Sequence, residues 1–232
     1  MKAFALALAS WLVTIGVPLL LVLGSVRLVM SPQYLLFEYQ RPDMTADMFG
    51  FGLEDRVRWG PIGIDYLLTD ADISLLGDLR FPDGAALFTQ RELGHMVDVK
   101  AVTRAAFALL TASLAVFPLC AWILARSGQP GQLRNALIRG AVFTLSAIVA
   151  ILFGATVAWD TFFALFHRAF FADGTWIFYT SDTLIRLYPE KFWFDAALTI
   201  GILVIGGALL ILVLSVWQWR RSLRVRQPET VV

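Results

Sequence analysis

Four long stretches of this chain carry no charged side chain: Ala3 to Val26, Ala105 to Ala125, Gly140 to Trp159 and Ala196 to Trp219. Each reaches the roughly 20 residues that a helix needs to cross the hydrocarbon of a bilayer. Spanning barrel strands would alternate apolar and polar positions over about ten residues, and these runs do not. The pattern predicts an all-α membrane protein with four transmembrane helices at about residues 3–27, 103–125, 138–163 and 194–219. The first run also resembles a signal peptide, with Lys2 ahead of it and Ala7-Leu8-Ala9 as a cleavage triplet. The triplet comes too early and the run is too long for a signal core, so a retained helix is expected.

Between these runs the polar residues are unevenly distributed. About 75 residues separate the first two spans, too many for a simple connector, and a folded extracytoplasmic cap at about 30–100 is expected there. Tyr34 to Tyr39 reads as a short aromatic strand, and Arg41-Pro42-Asp43 and Gly60-Pro61-Ile62-Gly63 read as turns. Ile64, Leu67, Leu68, Ile73, Leu75, Leu76 and Leu79 provide an apolar side for short helices, on a lipid surface or in a packed cap. From Leu87 the pattern is helical and runs without a breaker into the second span. A second outer segment at about 164–193 begins by continuing the third helix through His167. Asp173-Gly174 then offers a turn, and Pro189 suits the first turn of the fourth helix.

Composition agrees, with 58% hydrophobic and 16% charged residues in 232, too apolar a balance for a chain surrounded by water. Charge gives orientation. Arg126, Arg134 and Arg139 lie between the second and third runs with no acid among them, and Arg220, Arg221, Arg224 and Arg226 follow the fourth. Positive loops face the cytoplasm, so both termini are expected inside and every acid except Glu229 outside. Trp122, Trp217 and Trp219 would anchor the inner interface, Trp159 and Trp193 the outer. The net charge of +1 gives no reason to expect nucleic acid as a partner. Cys120, the single cysteine, lies within the second run, which leaves no internal disulfide.

The candidate chemistry rests on two histidines, His95 and His167, each one or two turns beyond the outer end of a span. Imidazole takes and gives protons near neutrality, so a facing pair can supply base and acid together. Glu92 and Asp98 stand three residues to either side of His95, and Asp160 two turns before His167, all placed to orient an imidazole. Arg91 and Arg168 flank the pair and are candidates for an oxyanion or a lipid head group; solvated acids and anchoring arginines would look the same. Glu92-x-x-His95 has the spacing of di-iron bundles, but no second such motif accompanies it, so no metal is expected. No Gly-x-Ser-x-Gly is present for a serine hydrolase.

The runs Arg91-Glu92-Leu93-x-His95-Met96-x-Asp98-Val99-Lys100 and Phe166-His167-x-x-Phe170-Phe171-x-x-x-x-Trp176 resemble the lipoprotein intramolecular transacylase family. So do Asp182-x-Leu184-Ile185-x-Leu187-Tyr188-Pro189-x-x-Phe192 and Asp65-Tyr66-Leu67. The resemblance implies a bacterial membrane enzyme without cofactor, acting on diacylglyceryl lipoproteins. It would move the sn-2 acyl chain to the α-amine of the N-terminal cysteine and leave a lyso-form lipoprotein. His95 and His167 would then be the catalytic pair, with Met96, Phe170, Phe171 and Trp176 along the acyl path. A lipid or lipoprotein ester hydrolase, and a non-catalytic assembly or binding protein, remain alternatives.

Overall fold

The computed structural model describes residues 1–129 and 131–225, so Arg226 and Glu229 lie outside the described residues. Its elements are helices: α1 (Lys2–Val29), α2 (Pro32–Tyr39), α3 (Leu53–Leu68), α4 (Ser74–Gly77), α5 (Gln90–Ala125), α6 (Gln132–Val157), α7 (Trp159–Phe170), α8 (Thr183–Leu187) and α9 (Glu190–Val225). The only β pairing among the described residues is one isolated bridge, Arg80 with Ala86. Four helices, α1, α5, α6 and α9, are long and apolar enough to cross a membrane. Much of their surface is exposed hydrophobic side chain, Phe4, Leu114, Phe143 and Leu210 among it, which is stable only where lipid replaces water.

The chain divides into two compact units. One contains Met1–Ser25, Leu110–Ile151 and the chain from Gly201. Its helices approach through small residues. A Cβ on Gly140 would come within 2.6 Å of the Thr14 carbonyl oxygen and 2.8 Å of the Val17 Cβ. Thr14 Oγ1 donates to the Ser10 carbonyl at 2.9 Å and to the Ala136 carbonyl at 3.3 Å. Close approach and interhelical hydrogen bonds are what hold helices together where lipid is as apolar as the side chains. Val13, Leu124, Ala136, Val17, Ala141 and Ala208 are buried in the resulting contacts.

The other unit contains Val26–Leu109 and Leu152–Ile200, and its core is aromatic and aliphatic. Leu35, Tyr39, Trp59, Ile64, Leu67, Leu76, Leu93, Leu187 and Tyr188 form one cluster, so α2, α3 and α4 are a packed body rather than separate surface helices. Three buried or half-buried polar ties hold its loops. Arg56 donates to the carbonyls of Thr45 at 2.8 Å and Arg186 at 3.1 Å. Arg186 grips Asp47 through two nitrogens at 3.1 Å each, with its guanidinium 3.5 Å from the Phe51 ring centre. Lys191 bridges Asp43 at 3.0 Å and Asp195 at 2.8 Å, which fixes the start of α9 to the loop after α2.

Three local expectations are corrected. Tyr34 to Tyr39 is helix, not strand. Ser31 caps α2 by accepting from the Tyr34 amide at 3.2 Å, and Pro32 takes the position where a missing amide hydrogen costs nothing. Gly60-Pro61-Ile62-Gly63 lies within α3 instead of turning. Its glycines make room for aromatic neighbours: a Cβ at Gly60 would collide with the Tyr39 hydroxyl, and one at Gly63 with the Tyr188 hydroxyl. Those hydroxyls donate to the Leu187 carbonyl at 2.8 Å and the Gly60 carbonyl at 2.5 Å. The third helix does not continue to His167. It stops at Val157, Ala158 leaves helical geometry at φ −144° and ψ 64°, and α7 begins anew at Trp159.

The contact at Gly140 yields a prediction. Gly140→Leu is expected to force α1 and α6 apart and lower stability by about 1–3 kcal/mol, the usual cost of overpacking. Thermal unfolding in detergent measures it, and an unchanged midpoint would show that the contact does not constrain the helices.

Candidate functional site

The site is assembled in the second unit, where the first turns of α5 meet α7 and the chain between α7 and α8. Glu92 does most of the positioning. It is 1% exposed, one carboxylate oxygen accepts from the Thr89 amide at 2.7 Å, and the other accepts from the Leu184 amide at 2.7 Å. A single buried carboxylate thus caps the start of α5 and seizes the start of α8, 92 residues away in sequence. Thr183 Oγ1 adds a bond to the Leu87 carbonyl at 2.5 Å, and Arg91 pairs with Asp182 at 2.8 Å. These ties lay residues 171–182 against the histidine face of α5.

His95 is 7% exposed, and its Nδ1 is buried without a hydrogen-bond partner. Phe171 and Phe178 stand edge-on to its ring, with centres at 5.0 and 5.4 Å. His167 lies with its ring centre 6.3 Å from that of His95, the planes 24° apart. Phe163 at 4.0 Å, Trp176 at 4.9 Å and Phe171 at 5.8 Å complete its surroundings. His167 Nδ1 is 2.8 Å from the Phe163 carbonyl oxygen, one turn back on α7. A carbonyl only accepts, so Nδ1 carries the proton, and the neutral ring keeps a lone pair on Nε2. Burial holds the His167 pKa below its ordinary 6.5, against the upward pull of the Phe163 carbonyl. The arrangement is two imidazoles in an aromatic box, at least one with a basic nitrogen available at neutral pH.

Comparison with known proteins supplies the family and the fold. The model of the lipoprotein intramolecular transacylase family, Lit, matches residues 11–193. The chain belongs to that family. It resembles an uncharacterised protein of Aquifex aeolicus strain VF5, at 29% identity over 81% of this chain and 84% of the other. In fold it is similar to the membrane-integral lipoprotein intramolecular transacylase Lit of Bacillus cereus, with a TM-score of 0.76, 20% identity, and 96% and 97% of the two chains covered. A variant of that protein in which one histidine is replaced by alanine gives a TM-score of 0.64 at 19% identity, covering 96% of this chain and 95% of the other. Membership of Lit makes this chain a multi-pass membrane protein of a transacylase family.

The remaining sequence candidates fall in different places in this Lit chain. Both oxygens of Glu92 accept from backbone amides rather than from His95. Asp98 and Asp160 are exposed. Arg91 leans over Phe178 and Tyr179, 5.3 Å from each ring centre, and so braces the wall beside His95. Arg168 is exposed and pairs with Asp173 at 3.5 Å. Met96 is buried in the core cluster, Phe170 is half-exposed against Phe166 and Phe171, and Trp176 lies over His167. Among the described residues, no group of three or more histidine, cysteine, aspartate or glutamate side chains is arranged to hold a metal ion.

Phe163 and Phe178 were not singled out by the sequence, although both touch the histidines. Phe163 could have been found by counting one helical turn back from His167. Nothing local marks Phe178, which reaches His95 only because Glu92 draws in α8.

With two histidines in the chain, the imidazole titration is directly readable. The carbon-bound ring resonances of His167, assigned by comparison with His95→Asn, are expected to titrate with a midpoint below 6.5 in detergent or nanodiscs. The neutral form then persists to a more acidic pH than in a solvent-exposed histidine. A midpoint at or above 6.5 would contradict the burial described here.

Proposed function

We propose that this protein transfers the sn-2 acyl chain of a diacylglyceryl lipoprotein to the α-amine of its N-terminal cysteine, with His95 and His167 moving the proton. The observation that carries the reading is the pairing of the two rings, 6.3 Å between centres, in an enclosure of Phe163, Phe171, Phe178 and Trp176. Family membership supplies the reaction class.

An α-amine with an ordinary pKa near 8 is mostly protonated at neutral pH and attacks only once a proton has gone. His167 Nε2, kept basic by the Nδ1 bond to Phe163, takes a second proton as nitrogen bonds to the ester carbonyl carbon. The bond from that carbon to the glyceryl oxygen then breaks, and the oxygen leaves with a proton delivered through His95. Counted from the ammonium, two protons leave nitrogen: the first goes to solvent before attack, the second passes by way of the histidines to the glyceryl oxygen, and the histidine pair ends as it began. No water is consumed and no electron acceptor is required. Ester and amine belong to one substrate molecule, so the enzyme's main contribution is to hold them together in an attacking geometry. The aromatic walls suit that purpose, since they accept acyl chain and exclude water that would compete as nucleophile.

The same reading puts the histidine site on the outer face of a bacterial cytoplasmic membrane and both termini in the cytoplasm, with α2 to α4 in an extracytoplasmic cap. Support comes from the arginines between α5 and α6 and after Trp219, and from the acids gathered in the other unit. In intact cells, with Cys120 replaced by Ser, an impermeant thiol reagent should label Asp173→Cys and spare Gln129→Cys; the opposite pattern inverts the orientation.

Activity is tested with a purified chain and a diacylated lipopeptide. Transacylation leaves the mass unchanged and blocks the amine, whereas hydrolysis lowers the mass by an acyl chain and a binding protein changes neither. His95→Asn and His167→Asn are each expected to cut the rate at least about 100-fold, the scale of a lost general acid or base. Full activity in both variants would remove the histidines from the mechanism.

A further inference from the structure

Among the described residues, the buried side-chain polar atoms without a hydrogen-bond partner include two in the aromatic box: His95 Nδ1 and Trp176 Nε1. The second is the more informative. Indole nitrogen is a donor only, with no protonation state to change, and burying it unpaired is unfavourable. Trp176 is placed ring against ring with His167 at 4.9 Å, and Phe163 packs edge-on to it at 6.5 Å. Four other donors nearby have acceptors. Arg91 is held by Asp182 and Arg168 by Asp173. The Phe171 amide donates to the His167 carbonyl at 2.8 Å, and Thr175 Oγ1 to the Ala172 carbonyl at 2.9 Å. Phe163, Phe171 and Phe178 have no polar side-chain atoms.

We infer that the Trp176 Nε1–H is the hydrogen-bond donor that receives the ester carbonyl oxygen of the substrate as negative charge develops on it. This rests on the transacylase reading above. When the amine nitrogen bonds to the carbonyl carbon, the carbonyl π pair moves onto oxygen, and it returns when the glyceryl oxygen is expelled. Between those events the oxygen is an anion beside the His167 imidazolium, in a box otherwise walled by aromatic rings. A desolvated donor fixed beforehand is the means by which a site of low polarity stabilises such an anion. The donor neither gains nor loses its proton, so it adds nothing to the proton exchange carried by the histidines. In this role Trp176 is a catalytic residue, and its tilted ring contact with His167 holds donor and base in fixed relation.

The test replaces Trp176 by 3-benzothienylalanine, which keeps the bicyclic shape and exchanges N–H for sulfur, beside Trp176→Phe and the unaltered protein. With the diacylated lipopeptide, the sulfur isostere is expected to lose about 100-fold in kcat with KM little changed, as for a donor lost from an oxyanion site. Retained kcat overturns the inference, as does a rise in KM alone, which would mean contact with the ground state only. If the unaltered protein fails to transacylate, the functional reading fails first; if it transacylates and the isostere matches it, only the role of Trp176 falls. A second measurement needs no altered residue at the site. A lipopeptide with a tetrahedral phosphonate at the sn-2 position should move the Trp176 indole N–H resonance, assigned through Trp176→Phe, downfield. No movement on saturation overturns the inference.

Discussion

The geometry of the site depends on one buried carboxylate. Glu92 accepts backbone amides from the start of α5 and from the start of α8, and among the described residues no cation pairs with it. Charge-assisted bonds of this kind each contribute about 1.5–3 kcal/mol, and removing the acceptor strands two buried amides. What the carboxylate secures is position more than stability. With α8 fastened to α5, the intervening aromatic chain passes over His95 and brings Phe171 and Phe178 to it as walls. Arg91, one residue earlier, reinforces the same junction from the surface through Asp182.

Glu92 also shows where reading a sequence reaches its limit. Its spacing from His95 suggests an orienting partner for the imidazole, because residues three apart share a helix face. Its actual partner, the Leu184 amide, is 92 positions away and belongs to a five-residue helix that carries no strong local signal. The long helices were legible because an uncharged run of about 20 residues has few alternatives. The histidines were legible because there are only two and each lies just beyond the outer end of a span. Tyr34 to Tyr39 was misread because aromatic content favours strand locally, whereas Ser31 and Pro32 were the stronger and available signal for a helix start. Gly60 and Gly63 were misread for a different reason. A glycine that serves as space for a distant tyrosine looks the same, in one sequence, as a glycine that serves as a turn.

The two units solve different packing problems with different residues. In the unit of Gly140 and Thr14, glycine, alanine and hydroxyl groups bring helix backbones close, since apolar side chains gain little by leaving lipid. In the unit that holds the histidines, large aromatic side chains predominate, with Arg56 buried among them. Arg56 and Arg186 donate to backbone carbonyls from within the fold, which pins irregular loops that no sheet or long helix supports.

The bond from His167 Nδ1 to the carbonyl of Phe163 lies wholly within one helix. The aim of that ring is therefore set as soon as α7 forms, before any guest arrives and independently of the loops that later surround it. In each turnover the conformational search falls to the pliant lipid-bearing peptide, which must fold its own two reacting ends toward a stationary nitrogen.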